Sequence, residues 1–227
     1  MKYGTRRFGS ITARIETYIL ELLCLPLRAL NLIYDLRFGG VLRGDIETRF
    51  AELQANNMVN TAYWSAALIF RDEVIASDDV LVDLGCGKGR VINWWLSCKL
   101  KNHIIGLELD PTIAATTAER LKSFKNVRII SGDALDNLPF DATLIYLYNP
   151  FGEGVVERLS DKLLQLMNPE RVRLFYYNCL YAEVFERDRR FSVERPCLIR
   201  SRSLRWLKKM LEDRKQLYPL SIVRLNV

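Results

Sequence analysis

The chain has 227 residues, of which 49% are apolar and 26% are charged, and this composition excludes disorder along the whole chain. Its length suits about one folded domain with an appendage. The formal net charge of +6 permits an acidic partner, such as nucleic acid, an anionic membrane surface or an acidic protein, but does not require one.

The five cysteines are scattered along the chain, and no two of them have the Cys-x-x-Cys spacing. This pattern predicts neither a disulfide framework nor a zinc site, and it fits reduced thiols in a cytoplasmic protein. The single histidine, His103, excludes a histidine-rich metal site, so we expect no bound metal.

Residues 1–75 are expected to form a helical extension that acts as a lid. Apolar residues recur at helical spacing on both sides of Pro26, and two consecutive glycines then interrupt the pattern. Further helices are predicted at 45–56 and 63–75.

The apolar stretch at 18–32 is too interrupted to cross a membrane. Glu21, Pro26 and Arg28 lie within it, whereas a transmembrane helix needs about 20 predominantly apolar residues. We therefore expect no transmembrane span and no cleaved signal segment. A basic, amphipathic helix at this place is also compatible with peripheral contact to a membrane surface.

Residues 76–227 show a different pattern, in which short apolar runs alternate with helical periodicity. Strands are predicted at 80–84, 104–109, 127–130, 143–148, 172–177 and 222–225, and helices at 91–100, 112–124, 155–167 and 198–217. This alternation predicts an α/β fold with a doubly wound, mostly parallel sheet and right-handed crossovers.

The first predicted strand runs into a glycine-rich loop that opens a helix. Its sequence is Asp83-Leu84-Gly85-Cys86-Gly87-Lys88-Gly89. Glycines permit a tight turn and a close approach of backbone to a ligand, which the N–H groups at the start of the helix then face. A dinucleotide fingerprint needs glycine at position 90, where Arg90 stands, so a nicotinamide-dependent oxidoreductase is disfavoured.

This Asp-x-Gly-x-Gly-x-Gly loop resembles motif I of the class I methyltransferases that depend on S-adenosylmethionine (SAM). The resemblance continues over about residues 79–178, with Glu108 ending the second strand and Ser131-Gly132-Asp133-Ala134 following the third. It implies a seven-stranded, Rossmann-like sheet with an antiparallel edge, SAM as methyl donor and S-adenosylhomocysteine (SAH) as product. The residues that the resemblance assigns to the donor are Asp83, Gly85, Cys86, Gly87, Gly89, Glu108, Asp133, Ala134 and Asn149.

Two acids of this set have more specific expected roles. Glu108 stands 21 residues beyond Gly87, a spacing at which an acid accepts hydrogen bonds from a ribose diol. Asp133 occupies the place at which the family's aspartate contacts the adenine amino group. Tyr176 and Tyr177 end the fifth strand, near the expected position of a methyl acceptor.

Asn149, Pro150 and Phe151 follow the fourth strand and are the expected catalytic residues. They resemble the family's Asn-Pro-Pro-Phe/Tyr motif, which orients a planar nitrogen beside an aromatic ring, although Gly152 follows and one proline of the motif is missing. The stretch looks closer to a group of small bacterial class I methyltransferases, whose motif region is similar to that of protein-lysine methyltransferases. The resemblance favours N-methylation of an amine or amide on a protein or small molecule, and it does not identify the acceptor.

The C-terminal region from 187 to 215 leaves a second interpretation open. It contains eleven arginines and lysines against four acidic residues. Such a patch either follows the phosphates of RNA or DNA or forms a solvated helix face. The alternative function is therefore an RNA or DNA methyltransferase, or a non-catalytic nucleic-acid-binding module.

Overall fold

The computed structural model describes residues 11–44, 49, 52, 59–149, 151–213 and 217–226, with the backbone alone for residues 11–23 and 202. The helices are α1 (Ile11–Arg37), α2 (Tyr63–Ile69), α3 (Arg90–Ser97), α4 (Pro111–Leu121), α5 (Glu153–Leu163), α6 (Glu183–Glu186) and α7 (Arg205–Asp213). The strands are β1 (Val80–Leu84), β2 (His103–Glu108), β3 (Val127–Ser131), β4 (Leu144–Tyr148), β5 (Arg173–Tyr177), β6 (Phe191–Glu194) and β7 (Leu220–Leu225).

The strands of the described chain form one seven-stranded sheet in the order β3-β2-β1-β4-β5-β7-β6. Strands β1 to β5 pair in parallel, and β7 pairs antiparallel with both β5 and β6. The predicted doubly wound, mostly parallel sheet with an antiparallel edge is therefore confirmed. The strand order reverses between β1 and β4, and ligands of open α/β sheets bind at such a switch point, beyond the carboxyl ends of the strands.

Alternate side chains of the central strands point into two separate apolar cores. On β4, Ile145 and Leu147 lie in the core that includes α5, whereas Leu144 and Tyr146 lie in the core that includes α2 and α3. Both faces of these strands are buried, which explains their nearly continuous apolar sequence. Neighbouring residues at the end of one strand consequently reach different surfaces of the molecule.

One buried carboxylate ties α1 to the rest of the fold. Asp35 is 0% exposed and accepts hydrogen bonds from Arg90 Nε at 3.0 Å, Arg90 Nη2 at 2.7 Å, the Tyr63 hydroxyl at 3.0 Å and the Leu42 N–H at 3.1 Å. Arg90 is the first residue of α3. The ion pair thus joins the N-terminal helix to the helix that follows the glycine loop.

Arg120 on α4 makes a second connection between the same parts. Its Nη1 donates to the Phe38 carbonyl and to Asn93 Oδ1, and its Nη2 donates to the Lys88 carbonyl at 2.6 Å. Burial lowers the pKa of this guanidinium. Backbone carbonyls before α2 and within the glycine loop are therefore held by one side chain.

The second helix is shorter than the sequence predicts. It was expected at 63–75, but it ends at Ile69. Phe70 leaves the helix and packs against Trp94 and Phe175 in the core, with ring centroids 5.1 Å and 5.0 Å away. Packing of this one aromatic side chain therefore overrides the local helical periodicity.

The basic C-terminal helix is also shorter than expected. It was predicted at 198–217, but α7 covers only Arg205–Asp213. Leu198 is buried and its carbonyl accepts a hydrogen bond from Arg71, so this part of the chain is held in an irregular conformation. The helix predicted at 45–56 lies mostly outside the described residues.

Two further features bear on expectations from the sequence. No helix of the described residues combines the length and the apolar character that a membrane crossing needs. The described part of the chain also has no group of three or more His, Cys, Asp and Glu side chains arranged to hold a metal ion. All five cysteines are free.

Replacing Asp35 with asparagine should lower the free energy of unfolding by about 3–5 kcal/mol. The reason is that the Arg90 side chain, which is 10% exposed, is left without its countercharge. Urea unfolding at neutral pH measures the change. The control is Glu183→Gln, which breaks an exposed pair with Arg187 and should alter stability by less than about 1 kcal/mol. Equal effects of the two substitutions would contradict a dominant role for the buried pair.

Candidate ligand site at the carboxyl edge of the sheet

The loop after β1 turns sharply through three glycines in left-handed conformations. The φ angles are +70° at Gly85, +51° at Gly87 and +72° at Gly89, values that residues with a side chain rarely adopt. The N–H groups of Gly85 and Cys86 both donate to the Leu107 carbonyl, at 2.8 Å and 2.9 Å. The loop is therefore fastened to β2 and presents its backbone at the switch point between β1 and β4.

A further glycine, inside β2, lets the loop lie this close to the sheet. A Cβ atom added at Gly106 would stand 2.8 Å from each of Cys86 Sγ, Ile129 Cδ1 and Ile92 Cδ1. The Cys86 side chain thus belongs to the core, and burial raises the pKa of its thiol. Cys86 is left to meet a ligand through its backbone. An isolated glycine within a strand signals a close backbone approach, but Gly106 was not among the site residues predicted from the sequence.

Glu108 ends β2 and supports the glycine loop. Its Oε2 accepts a hydrogen bond from the Gly87 N–H at 2.8 Å, and its Oε1 accepts one from the Asp110 N–H at 2.9 Å. Burial raises the pKa of this carboxyl, and the two hydrogen bonds partly offset that effect. Each carboxylate oxygen accepts more than one hydrogen bond, so Glu108 keeps capacity for a ligand.

Asp83 is a buried carboxylate without a donor. It is 3% exposed, and no group of the described chain donates a hydrogen bond to it. Burial, and then the charge of Glu108, raise its pKa to about 8. Such a group is costly in the folded protein unless a ligand brings hydrogen-bond donors or a positive charge. The pair Asp83 and Glu108 therefore suits a ligand that carries both.

Asp133 and Ala134 follow β3 at the same edge of the sheet, because Glu108 pairs with Ser131 at the ends of β2 and β3. Asp133 Oδ1 accepts a hydrogen bond from the Leu135 N–H at 2.7 Å and so caps the following turn. Ala134 is buried in the core that includes α5. One oxygen of Asp133 thus has a local structural role that the sequence did not indicate.

Asn149 follows β4 in a strained backbone conformation. Its φ angle is +41°, and it is 8% exposed. Its Oδ1 accepts a hydrogen bond at 2.9 Å from the hydroxyl of Tyr176, on the neighbouring strand β5. Burial raises the pKa of Tyr176, so this hydroxyl keeps its proton at neutral pH. Strained residues of this kind persist where the surroundings over-determine them, as they do at functional sites.

Phe151 and Pro150 are the other two members of the predicted motif. Phe151 is half-buried and packs against the core that includes α5, which also contains Tyr176. Its ring is therefore anchored on the same side of the sheet as the partner of Asn149. Pro150 lies outside the described residues.

A cavity of about 570 Å³ lies at the carboxyl ends of β4 and β5, on the other face of the sheet. Tyr148 and Tyr177 line it from the strands, and Arg90 lines it from the start of α3. Residues of α1 and of the segment before α2 complete its walls. The cavity consequently lies between the start of α3 and the strand end that precedes Asn149.

Residues 81–169 match a family described as "Methyltransferase domain". This segment begins in β1, ends before β5 and contains every residue that the sequence assigned to the donor. No curated protein is detectably similar in sequence to the chain.

Solved structures of the same fold are methyltransferases of low sequence identity. The precorrin-6y C5,15-methyltransferase of Geobacter metallireducens is 18% identical, with 80% of this chain and 97% of that chain covered and a TM-score of 0.51. The N,N-8-amino-8-demethyl-D-riboflavin dimethyltransferase of Streptomyces davawensis is 13% identical, with 71% and 53% covered and a TM-score of 0.52, so this chain spans about half of its length. A tRNA methyltransferase of B. subtilis is 12% identical, with 74% and 67% covered and a TM-score of 0.50. Likenesses at such identities establish the fold alone.

The residues at the edge of the sheet fit SAM. The unpartnered Asp83 suits a positively charged ligand, Glu108 suits hydroxyl donors, and Gly85, with a left-handed backbone, is exposed at the turn after β1. The family match and the fold agree with this chemistry. Residues 81–169 thus match a methyltransferase domain whose site suits SAM as the methyl donor.

The unpartnered Asp83 should make the ligand-free protein less stable as the pH rises. The unfolded chain loses this proton near the ordinary aspartate pKa of 3.8, whereas the folded protein holds it up to about pH 8. Between these values the folded state binds the extra proton, so the free energy of unfolding should fall by up to about 1.4 kcal/mol per pH unit from this group. Urea titrations across this range measure the slope.

The substitution Asp83→Asn should reduce that slope, because the amide does not ionise. The control Asp141→Asn changes an exposed acid before β4 and should leave the slope unchanged. Identical slopes for the parent and Asp83→Asn would mean that Asp83 ionises in the folded protein as it does in the unfolded chain.

Proposed function

We propose that this domain transfers the methyl group of SAM to a nitrogen of an amine or amide, on a small molecule or a protein in the cytoplasm. The observation that carries the choice of nitrogen is Asn149, a buried amide that Tyr176 holds in one orientation at the end of β4. A planar amide in a fixed orientation suits the alignment of a nitrogen lone pair with a methyl carbon.

The residues at the ends of β1, β2 and β3 are proposed to hold the donor. Asp83 faces its positive charge, Glu108 accepts hydrogen bonds from its ribose hydroxyls, and Asp133 accepts from the adenine amino group through the oxygen that does not cap the turn. The backbone of Gly85, Cys86, Gly87 and Gly89 lies against the donor, with Ala134 and Asn149 completing its surroundings.

SAM supplies a methyl group on a sulfonium: the nitrogen lone pair forms the new N–C bond as the S–C bond breaks onto sulfur, SAH leaves, and the nitrogen's proton passes to water. The protein's task is then to align the nitrogen and exclude bulk water. Asn149 presents its amide and its backbone carbonyl to the acceptor, and Phe151 packs beside the site. Pro150 belongs to the same proposed catalytic motif. Tyr176 stays protonated and acts as a donor to Asn149, not as a base.

The extension at 1–75 is proposed to close over the donor and the acceptor. Lys88 of the glycine loop donates to the carbonyls of Arg43 and Gly44, at 2.8 Å and 3.0 Å, which supports this role. The ion pair between Asp35 and Arg90 holds α1 at the same place.

Methylation of RNA or DNA, or nucleic-acid binding without catalysis, is the second candidate, suggested by the basic C-terminal region. Phosphate binding relies on cations that are not already neutralised within the protein. Several cations of this region are paired with acids in the described structure, namely Arg187, Arg190, Arg195, Arg200 and Lys208. This pairing leaves the region with fewer available charges than its composition suggests, so we favour the first candidate.

Calorimetric titration with SAM and with SAH tests the donor site. The parent protein should bind both ligands. The substitutions Asp83→Asn and Glu108→Gln should each weaken SAM binding by about tenfold or more, because each removes a hydrogen bond to a charged group worth about 1.5–3 kcal/mol. The exposed control Asp141→Asn should bind as the parent does.

Unchanged affinity in both site variants would show that these carboxylates do not hold the donor. If the parent protein bound neither SAM nor SAH, the proposed activity itself would be wrong.

Methyl transfer from labelled SAM into the protein, RNA and small-molecule fractions of a bacterial extract tests the role of Asn149. Asn149→Ala should lower the rate at saturating SAM by about 100-fold, because the acceptor loses its alignment. Tyr176→Phe should lower the rate less, since the amide remains but is no longer held. The exposed Asn226→Ala serves as the control.

Mass spectrometry of the labelled product identifies the methylated atom. A methyl group on nitrogen in the protein or small-molecule fraction supports the proposal. A methyl group on carbon or oxygen, or label confined to RNA, contradicts it.

A further inference from the structure

The cavity at the ends of β4 and β5 has a distinct chemical character. Its volume of about 570 Å³ falls in the range of about 300–1,000 Å³ that is typical of sites for small molecules. Three arginines line it, Arg28, Arg43 and Arg90, and none of the described lining residues is acidic. The cavity is therefore a positively charged site for a molecule of modest size.

The three arginines are not equivalent. Arg90 is already neutralised by its two hydrogen bonds to the buried Asp35. Arg28 and Arg43 are exposed, and neither guanidinium has a hydrogen bond or ion pair in the described structure. Two guanidinium groups at one cavity, each with its donors unused, suit a carboxylate or a phosphate.

The opposite wall of the cavity is aromatic. Tyr148, Tyr177 and Tyr218 line it, and their ring centroids are 5.1 Å, 5.4 Å and 5.7 Å apart. Burial raises the pKa of Tyr148 and raises that of Tyr177 to about 12, so both rings stay neutral at physiological pH. A cluster of neutral rings offers a face on which a planar group stacks.

We propose that this cavity takes the methyl acceptor and selects a small molecule in which an anionic group, carboxylate or phosphate, is attached to a planar ring. Arg28 and Arg43 bind the anionic group, and the tyrosine cluster of Tyr148, Tyr177 and Tyr218 binds the ring. This inference rests on the proposed function, and it adds the chemical class of the acceptor.

The chain supports this placement of the acceptor. Tyr148 directly precedes Asn149, so the cavity lies at the strand end that carries the residue proposed to align the nitrogen. Arg28 stands on α1 and Arg43 in the segment after it, whereas Tyr148 and Tyr177 end β4 and β5. The anionic group and the ring are therefore bound by different segments of the chain.

Calorimetry on the SAH-loaded protein tests the selection with three matched probes, 1-naphthyl phosphate, 1-naphthoate and 1-naphthol. At least one anionic probe should bind about tenfold more tightly than the neutral one, and the stronger of the two anions distinguishes phosphate from carboxylate. Added salt should weaken the anionic probes alone. Comparable affinities for all three probes, or no binding of either anion at millimolar concentration, would overturn the proposal.

Substitutions of the lining residues test which side chains contact the probes. Arg28→Gln and Arg43→Gln should each weaken the anionic probes by about five- to tenfold and leave 1-naphthol and SAH unaffected. The substitution Tyr218→Leu should weaken all three probes. The control Arg205→Gln removes an exposed arginine of α7 and should change none of them. Loss of affinity in the control as great as in Arg28→Gln would overturn the assignment to the cavity.

SAH binding separates this inference from the proposed function. Normal SAH binding with equal affinity for all three probes would contradict only the proposed chemical class of the acceptor. Absence of SAH binding would contradict the proposed methyltransferase activity. A short single-stranded RNA that bound more than tenfold tighter than 1-naphthyl phosphate, with the same dependence on Arg28, would replace the small molecule by a nucleic acid.

Discussion

The buried carboxylate of Asp35 makes the contacts on which the position of α1 depends. Strand pairing and two apolar cores hold the sheet, but α1 owes its position beside the glycine loop to the four hydrogen bonds that converge on Asp35. Asn31 and Arg28 stand about one and two helical turns before it, on the same side of α1. Both line the cavity, so the buried ion pair also helps to hold this part of the cavity wall in place.

The two acidic residues at the strand ends show how a ligand site can lower the stability of the ligand-free protein. Glu108 shares its charge among backbone N–H groups, and this sharing moderates the cost of its burial. Asp83 accepts no such hydrogen bond, and its burial therefore raises its pKa. In the absence of ligand Asp83 therefore keeps its proton near neutral pH, whereas a cationic ligand stabilises its ionised form.

At the carboxyl edge of the sheet, the side chains on its two faces have different roles. Tyr176 belongs to the core that includes α5 and holds Asn149, whereas Tyr148 and Tyr177 turn to the opposite face and line the cavity. The alternation of a strand produces this division, because successive side chains point to opposite sides. Residues adjacent in sequence thereby serve alignment on one face and recognition on the other.

The sequence by itself determined the five parallel strands, the helices that alternate with them and the glycine loop, because apolar runs and glycine spacing are local patterns. Only the tertiary structure decided that residues 191–194 form the edge strand β6 and that Glu108 accepts a hydrogen bond from the Gly87 N–H. It also decided that Asp35 pairs with Arg90, 55 residues away, that five basic residues of the C-terminal region are ion-paired, and that the second helix stops at Ile69. Each of these depends on which side chains meet when separate elements pack. Periodicity reports the burial of a face but not the identity of the partner that covers it, so these contacts arise only when the chain is folded.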